Sequence, residues 1–230
     1  MRAPGRGSLA ADAAGAICVK SAASLLAVAI SADLLVGHRI VTLRVWLIAL
    51  TDFGDAAVLI PLAAAMLVWL WAGDSRSSAW WAVSVGFCCG LTALLKIFFH
   101  GCPPAPYMHS PSGHTAFSVL VYGALVLAIS MQSGSLRRLL AIGIGAGLIL
   151  TIAASRLLLD IHSPAEIGLG LAIGAASLVI FGRKLGRYPH AKLWPLLVTA
   201  AVLIAILHGQ ELHAEQFLHK ISGDLKIHCS

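Results

Sequence analysis

Long apolar runs separated by short polar segments dominate this chain. Five runs are each long enough to cross a membrane as a helix, which needs roughly 20 apolar residues. They cover about residues 56–72, 78–99, 114–131, 138–158 and 164–182. Two further candidates lie at 21–36 and 193–207. The pattern predicts an all-α protein, a polytopic membrane helical bundle with six or seven transmembrane helices.

The segments around these runs are interpreted separately. Residues 1–20 are rich in Gly and Ala and predict a disordered cytoplasmic N-terminus. The run 21–36 is either a first span or a signal peptide, because small residues resembling a cleavage site lie within it. Residues 39–55 mix charged and apolar positions, which is typical of an amphipathic helix at the membrane interface. A transmembrane domain is predicted over 21–208 and a polar tail over 209–230.

Composition supports the membrane assignment and indicates which kinds of partner the protein has. Hydrophobic residues make up 59% of the chain and charged residues 11%, whereas soluble domains carry about a quarter charged residues. The formal net charge is +6, but the basic residues form short clusters between apolar runs. Most of the basic residues lie in segments on the same side of the membrane as the N-terminus. The positive-inside rule places that side in the cytoplasm. Membrane lipids are therefore expected partners and nucleic acid is not.

The remaining unusual residues lie in two connections on the other, outer side, at 100–113 and 159–163. Histidines and charged side chains in or next to these connections stand at the ends of apolar runs. Ionisable groups near lipid are costly, so they indicate function. Both connections are therefore predicted to contribute to one site at the outer membrane face.

An anion-binding arrangement is predicted at the start of the run 114–131. The tetrapeptide P-S-G-H at 111–114 opens that run, so Ser112 can cap the helix. Exposed backbone N–H groups at a helix start bind anions. Arg156, at the outer end of its own run, suits bidentate phosphate contacts. Lys96 holds a similar position, although taken alone it is better explained as a side chain that extends its charge to the membrane interface.

Two histidines complete the predicted site. His162 and Glu166 are four positions apart, so on a helix they share one face. The carboxylate would then hold one imidazole nitrogen as N–H and leave the other free to attack as a nucleophile. His114 would be the second imidazole and would protonate the leaving oxygen as a general acid.

These residues resemble the signatures of the type 2 phosphatidic acid phosphatase (PAP2) superfamily of membrane phosphatases. That family carries K-x6-R-P, P-S-G-H and S-R-x5-H-x3-D. The second signature is complete at 111–114. The third has its spacing complete from Ser155 to His162, with Glu166 where the family has Asp. The motifs cover about residues 90–185.

The resemblance implies a role for each matching residue. His162 would be the nucleophile that forms a phosphohistidine, His114 the general acid, and Glu166 the residue that orients His162. The phosphoryl oxygens would be held by Lys96, Ser112, Gly113 and Arg156. The resemblance implies no metal and no other cofactor.

The first signature departs from the family pattern. Counting from Lys96, the position of the family's Arg is Pro103, so one bidentate phosphate contact is missing. His100 lies one helical turn beyond Lys96 and is a candidate substitute ligand. His109, just before the P-S-G-H segment, is a second candidate.

Together these features predict an integral membrane phosphatase that hydrolyses a lipid-linked phosphate or pyrophosphate at the outer face of a cell inner membrane. The resemblance suggests undecaprenyl pyrophosphate, phosphatidate, phosphatidylglycerol phosphate or lipid A phosphates as substrates. The missing Arg favours an alternative, a catalytically weak lipid-phosphate binder, and a lipid phosphotransferase of the same fold is a further one. Oligomeric state cannot be read from the sequence.

The tail contains His208, Glu211, Glu215 and His219 at helical spacing. A polar amphipathic tail is the default interpretation. A divalent metal site on this face is the alternative.

Overall fold

The computed structural model describes residues 41–101, 108, 110–185 and 192–210. Over these residues the chain forms helices and turns without a β-strand, which confirms the predicted all-α class. Helix α1 is described over residues 41–52. The helices that follow are α2 (Ala56–Gly73), α3 (Ser75–Gly101), α4 (Gly113–Gln132), α5 (Ser135–Leu158), α6 (Pro164–Lys184) and α7 (Leu193–Leu207).

The chain divides into two compact units, Met1–Trp46 and Leu47–Ser230. The described part of the first unit, residues 41–46, is helical and exposed. Every contact discussed below lies within the second unit. The predicted first span and the bounds of the predicted N-terminus and tail lie mostly outside the described residues, so the domain boundaries remain predictions.

Side-chain caps define where three helices begin. The carboxylate of Asp55 accepts a backbone N–H in the first turn of α2 at 2.7 Å. Ser112 and Ser163 accept first-turn N–H groups of α4 and α6 at 3.4 and 3.3 Å. Ser163 and Glu166 form a capping box, in which each side chain accepts the other's backbone N–H. The starts of α2, α4 and α6 are thereby fixed by short polar side chains.

Helix α4 lies at the centre of the bundle and packs most extensively against α6 and α5. Its contact with α6 is close because α6 presents glycines. A Cβ at Gly170 would lie 2.6 Å from the carbonyl oxygen of Ser112, and one at Gly174 would overlap the backbone of Ala116. Small residues of this kind let two membrane helices approach to backbone contact. The α6 backbone is thus held against the N-terminal turns of α4.

Within the described residues, five helical stretches are long and apolar enough to cross a membrane. They are Val41–Gly73, which includes α1 and α2, then Ser75–Phe99 of α3, and α4, α5 and α6. Helix α7 is apolar but has 15 residues. Outward-facing apolar side chains such as Leu136, Leu139 and Ile144 of α5 are exposed, as expected for a lipid-facing surface. These features fit a multi-pass membrane protein.

The helix predicted over 39–55 is observed over 41–52, but its acidic end differs from the prediction. Asp52 and Asp55 are buried, whereas an interfacial helix would leave them in contact with water. The reason is that the helix stops at residue 52 and a turn carries the chain into the next helix. Asp55 belongs to the start of α2 and not to an interfacial surface.

Neighbouring helices joined by short connections reverse direction, so the polar residues gather at two ends of the bundle. We call one of them the site end, because it holds the starts of α2, α4 and α6 and the turn between α5 and α6. The opposite end holds a set of basic residues, Arg76, Arg137, Arg138, Arg183, Lys184 and Lys192.

Candidate active site

The turn between α5 and α6 places His162 beside Arg156. The backbone N–H groups of Ile161 and His162 donate to the carbonyl of Arg156 at 3.1 and 3.3 Å. Asp160 takes a left-handed conformation, with φ of 55°, that reverses the chain; short polar residues adopt this conformation more readily than others. Asp160 is thus a turn residue.

His162 and Glu166 form a buried imidazole–carboxylate pair. His162 Nδ1 lies 3.1 Å from Glu166 Oε2, and the side chains are 5% and 6% exposed. Because an ionised carboxylate can only accept, the imidazole donates its Nδ1–H in this pair. The structure therefore brings together the two side chains that the four-residue spacing placed on one face.

Glu166 is itself fixed by two backbone donors. Its Oε2 accepts the N–H of Ser163 at 2.9 Å, and its Oε1 accepts the N–H of Ser110 at 2.8 Å. The N–H of Ser112 donates to the Glu166 carbonyl at 3.1 Å. This one residue therefore joins the segment before α4 to the start of α6 and leaves the orientation of His162 little freedom.

The environment of His162 favours a neutral imidazole. Burial lowers the pKa of His162, and the positive charges of Arg156 and Lys96 lower it further, while the hydrogen bond and charge of Glu166 act in the opposite direction. The other ring nitrogen, Nε2, is buried and has no hydrogen-bond partner. Because Nδ1 donates its proton to Glu166, Nε2 is the atom whose lone pair is available for reaction.

The start of α4 combines several features that favour anion binding. Ser112 is fully buried, and its hydroxyl lies 2.9 Å from that of Thr115, so its side chain serves the helix cap. A Cβ at Gly113 would lie 3.9 Å from Lys96 Nζ, which shows that the ammonium group rests against this helix start. The N–H groups of a helix start, the helix dipole and an ammonium group together favour a bound anion.

Arg156 supplies the second cation of the site. It lies in the last turn of α5 and is 6% exposed. Its Nη1 lies 3.5 Å from Thr51 Oγ1, so the end of α1 also borders the site. A guanidinium group buried at this point offers a fork of donors suited to phosphate oxygens.

His114 faces a carboxylate that the sequence interpretation did not include. His114 Nε2 lies 3.5 Å from Asp55 Oδ2, and the two side chains are 18% and 10% exposed. The residues are far apart in the chain and meet because the starts of α2 and α4 lie together at the site end. Asp55 carried no signal beyond its place just before an apolar run, a position typical of a helix cap.

Several predicted residues are not placed by the structure. The side chain of His100, together with Pro103 and His109, lies outside the described residues, so the substitute ligands for the missing Arg remain predictions. Glu211, Glu215 and His219 of the tail also lie outside them. His208 donates its Nε2–H to the carbonyl of Ala49 at 2.9 Å. No group of three or more His, Cys, Asp or Glu side chains in the described part of the chain could hold a metal ion.

Comparison with known proteins agrees with this geometry. Residues 95–188 match the family model of the PAP2 superfamily. The match confirms the resemblance seen in the motifs. Members of the superfamily are generally phosphatases, which supports at a coarse level a hydrolase of phosphoric esters.

One curated relative is the "Uncharacterized 22.5 kDa protein in cps region" of Klebsiella pneumoniae. It is 31% identical over 135 residues, which are 56% of this chain and 64% of the relative. The match thus spans a little under two thirds of the relative's length. No solved structure matches the chain.

Proposed function

We propose that the protein is an integral membrane phosphatase that hydrolyses a lipid-linked phosphate or pyrophosphate through a phosphohistidine. The observation that supports this most directly is the arrangement of His162. Its Nδ1 is held by Glu166, and its Nε2 is buried without a partner. An unpaired buried polar atom costs free energy. A phosphoryl group bound at the start of α4 would give this nitrogen a reaction partner.

In the first step, His162 Nε2 attacks phosphorus and forms an N–P bond. The bond from phosphorus to the leaving oxygen breaks, and its electron pair stays on that oxygen. His114 gives the oxygen a proton, so an alcohol or a phosphate departs. Glu166 stabilises the positive charge that develops on the His162 ring, in the way an orienting carboxylate supports a catalytic histidine.

In the second step, a water molecule attacks the phosphorus of the phosphohistidine. His114, now neutral, takes a proton from this water. The N–P bond breaks, its electrons return to Nε2, and inorganic phosphate leaves. The cycle restores both histidines, and neither step as proposed uses a metal ion.

The phosphoryl oxygens would be bound by the N–H groups at the start of α4 and by two cations, Lys96 and Arg156. Contacts of this type accelerate phosphoryl transfer when they strengthen as charge builds in the transition state. His100 would take part if its imidazole replaces the missing Arg of the first signature.

The position of the site supports a lipid substrate. The reacting groups lie at one end of apolar helices whose outward faces expose Leu and Ile side chains. A headgroup phosphate could reach this end while its hydrocarbon chain stays beside the helices. The basic residues at the opposite end favour that end for the cytoplasm, which would put the site on the outer face of the inner membrane.

Two other functions share this site. A lipid-phosphate binder is favoured by Pro103, which stands where the family's Arg would contact phosphate. A phosphotransferase would pass the phosphoryl group from His162 to an acceptor other than water. A binder would bind lipid phosphates without releasing phosphate. A phosphotransferase would transfer the phosphoryl group at a rate that depends on acceptor concentration.

The test is phosphate release by the purified full chain in detergent from undecaprenyl pyrophosphate, phosphatidate, phosphatidylglycerol phosphate and lipid A phosphates. We expect release from at least one of them, and a fall of about 10⁴-fold or more in His162→Ala, since loss of a nucleophile removes nearly all catalysis. His208→Ala is the matched control, because His208 lies at the same end but bonds to a backbone carbonyl. Binding without release from any lipid would contradict the phosphatase and support the binder.

A further inference from the structure

The carboxylate of Asp55 has two oxygens in different surroundings. Oδ1 accepts the N–H of Ala57 at 2.7 Å and caps α2. Oδ2 lies 3.5 Å from Nε2 of His114, across the gap between the starts of α2 and α4. Because the cap bond fixes the side-chain rotamer, Oδ2 is held toward the imidazole. Capping alone would need one oxygen, and Asn or Ser would supply it equally well.

The surroundings make this carboxylate effective. The Asp55 side chain is 10% exposed, so little water screens it from His114. It also stands at the positive end of the α2 dipole, which stabilises a negative charge there. A buried charge is costly without such support. A negative charge is therefore built into the structure beside the histidine that the proposed mechanism uses twice.

We propose that Asp55 is the positioning residue for His114 and that it directs the histidine's Nδ1 to the leaving oxygen. This inference rests on the proposed function. While the imidazole is protonated, its Nε2–H faces Asp55 Oδ2 and its Nδ1–H faces the substrate. When the P–O bond breaks, the Nδ1 proton moves to the leaving oxygen, and the neutral ring keeps its Nε2–H on the side of Asp55. The Nδ1 lone pair is then directed to accept a proton from the attacking water.

The dependence of rate on the leaving group separates this role from a structural one. An alkyl alkoxide is a poor leaving group and needs the proton from His114, whereas a nitrophenolate departs without one at neutral pH. The constant kcat/KM reports the steps up to the departure of the leaving group. A defect in His114 alone would therefore lower kcat/KM for an alkyl phosphate and affect an aryl phosphate little, whereas a distorted site would lower both.

The experiment compares wild type with Asp55→Asn, using a long-chain alkyl phosphate and a nitrophenyl phosphate that carries a similar alkyl chain. Asn keeps the cap of α2 and removes the charge. We expect kcat/KM for the alkyl phosphate to fall about tenfold or more, a part of the ~10²–10⁴-fold that a general acid contributes. The ratio of aryl to alkyl kcat/KM should rise by the same factor.

Asp74→Asn is the matched control, because Asp74 accepts backbone N–H groups at the start of α3 at the opposite end. It should leave the ratio at the wild-type value. An unchanged ratio in Asp55→Asn, or an equal fall for both substrates, would overturn the role of Asp55 and leave the phosphatase intact. No release by wild type from either substrate or from the lipid panel would overturn the proposed function itself.

Discussion

The site end contains two histidine–carboxylate pairs that are built in different ways. His162 and Glu166 are hydrogen-bonded at 3.1 Å, belong to one helix start, and are 5% and 6% exposed. His114 and Asp55 lie 3.5 Å apart, come from two helices, and are 18% and 10% exposed. The first pair is rigid and largely shielded from water. The second is looser and more accessible.

This difference matches the two chemical tasks that we propose. A nucleophile must hold one nitrogen at a fixed position, and the backbone donors that anchor Glu166 provide that rigidity. A group that first gives and later takes a proton must serve two partners, the leaving group and water. A longer contact leaves the His114 ring room to do so. The pairs should therefore respond differently to substitution.

After loss of the nucleophile itself, the largest effect is expected from Glu166→Gln, which breaks the rigid pair. Gln keeps an acceptor for one of the two backbone N–H groups, but it lacks the charge that orients and stabilises His162. We expect kcat to fall by about 10³-fold or more for both alkyl and aryl phosphates, as for other orienting carboxylates. Steady-state kinetics on the two substrates measure this. A fall confined to the alkyl phosphate would contradict the assignment of Glu166 to the nucleophile.

The next largest effect is expected from His114→Gln, which removes the second imidazole. We expect kcat/KM for an alkyl phosphate to fall about 10²-fold or more, the size of a general-acid contribution. The aryl phosphate should be affected far less, because its leaving group needs no proton. Equal losses on the two substrates would show that His114 supports the site structurally and does not transfer a proton.

A smaller effect is expected from Gly170→Ala, which acts on the packing behind the rigid pair. The new methyl group would lie 2.6 Å from the Ser112 carbonyl oxygen and push α6 away from α4. We expect a loss of about 1–3 kcal/mol in stability, as for other overpacked sites, and lower activity on both substrates. Thermal unfolding in detergent measures the loss of stability. Gly168→Ala is the control, since a Cβ at Gly168 would meet nothing within 4 Å, and an equal loss there would contradict the packing argument.

The smallest effect is on the pH profile of the rigid pair. Burial lowers the pKa of His162, so more acid is needed to protonate it than for a free imidazole. With an aryl phosphate, the acid limb of kcat/KM should therefore lie below pH ~6.5, the ordinary value for histidine. The profile must be corrected for titration of the substrate's own phosphate. An acid limb at or above the ordinary value would contradict a neutral, buried nucleophile.

The sequence predicted the first pair and missed the second for a physical reason. A spacing of four places His162 and Glu166 on one face wherever that segment is helical, so local geometry suffices. Asp55 and His114 meet only through the packing of α2 against α4, which no local pattern records. The mixed pattern of residues 39–55 predicts Asp55 in an interfacial helix, although its position before an apolar run is also that of a cap.

For the fold as well, features set by local sequence were predicted and features set by packing were not. The apolar runs and the cap at Ser112 were sufficient to place α2 to α7. The contact of α6 with α4 was not predicted, although Gly170 and Gly174 have the four-residue spacing of small residues typical of close helix packing. The loss of a phosphate contact at Pro103 and its replacement by His100 remain predictions.

The central claim is that His162 carries the phosphoryl group, and trapping that intermediate tests it most directly. His114→Gln should be incubated with a nitrophenyl phosphate labelled on phosphorus and quenched at alkaline pH. With this substrate, the first step of the variant needs no general acid. The second step lacks the base that His114 would supply. We expect an acid-labile phosphohistidine at His162 that is absent when the His162→Ala substitution is combined with His114→Gln. Nitrophenolate release without labelled protein, or a label on another residue, would contradict it.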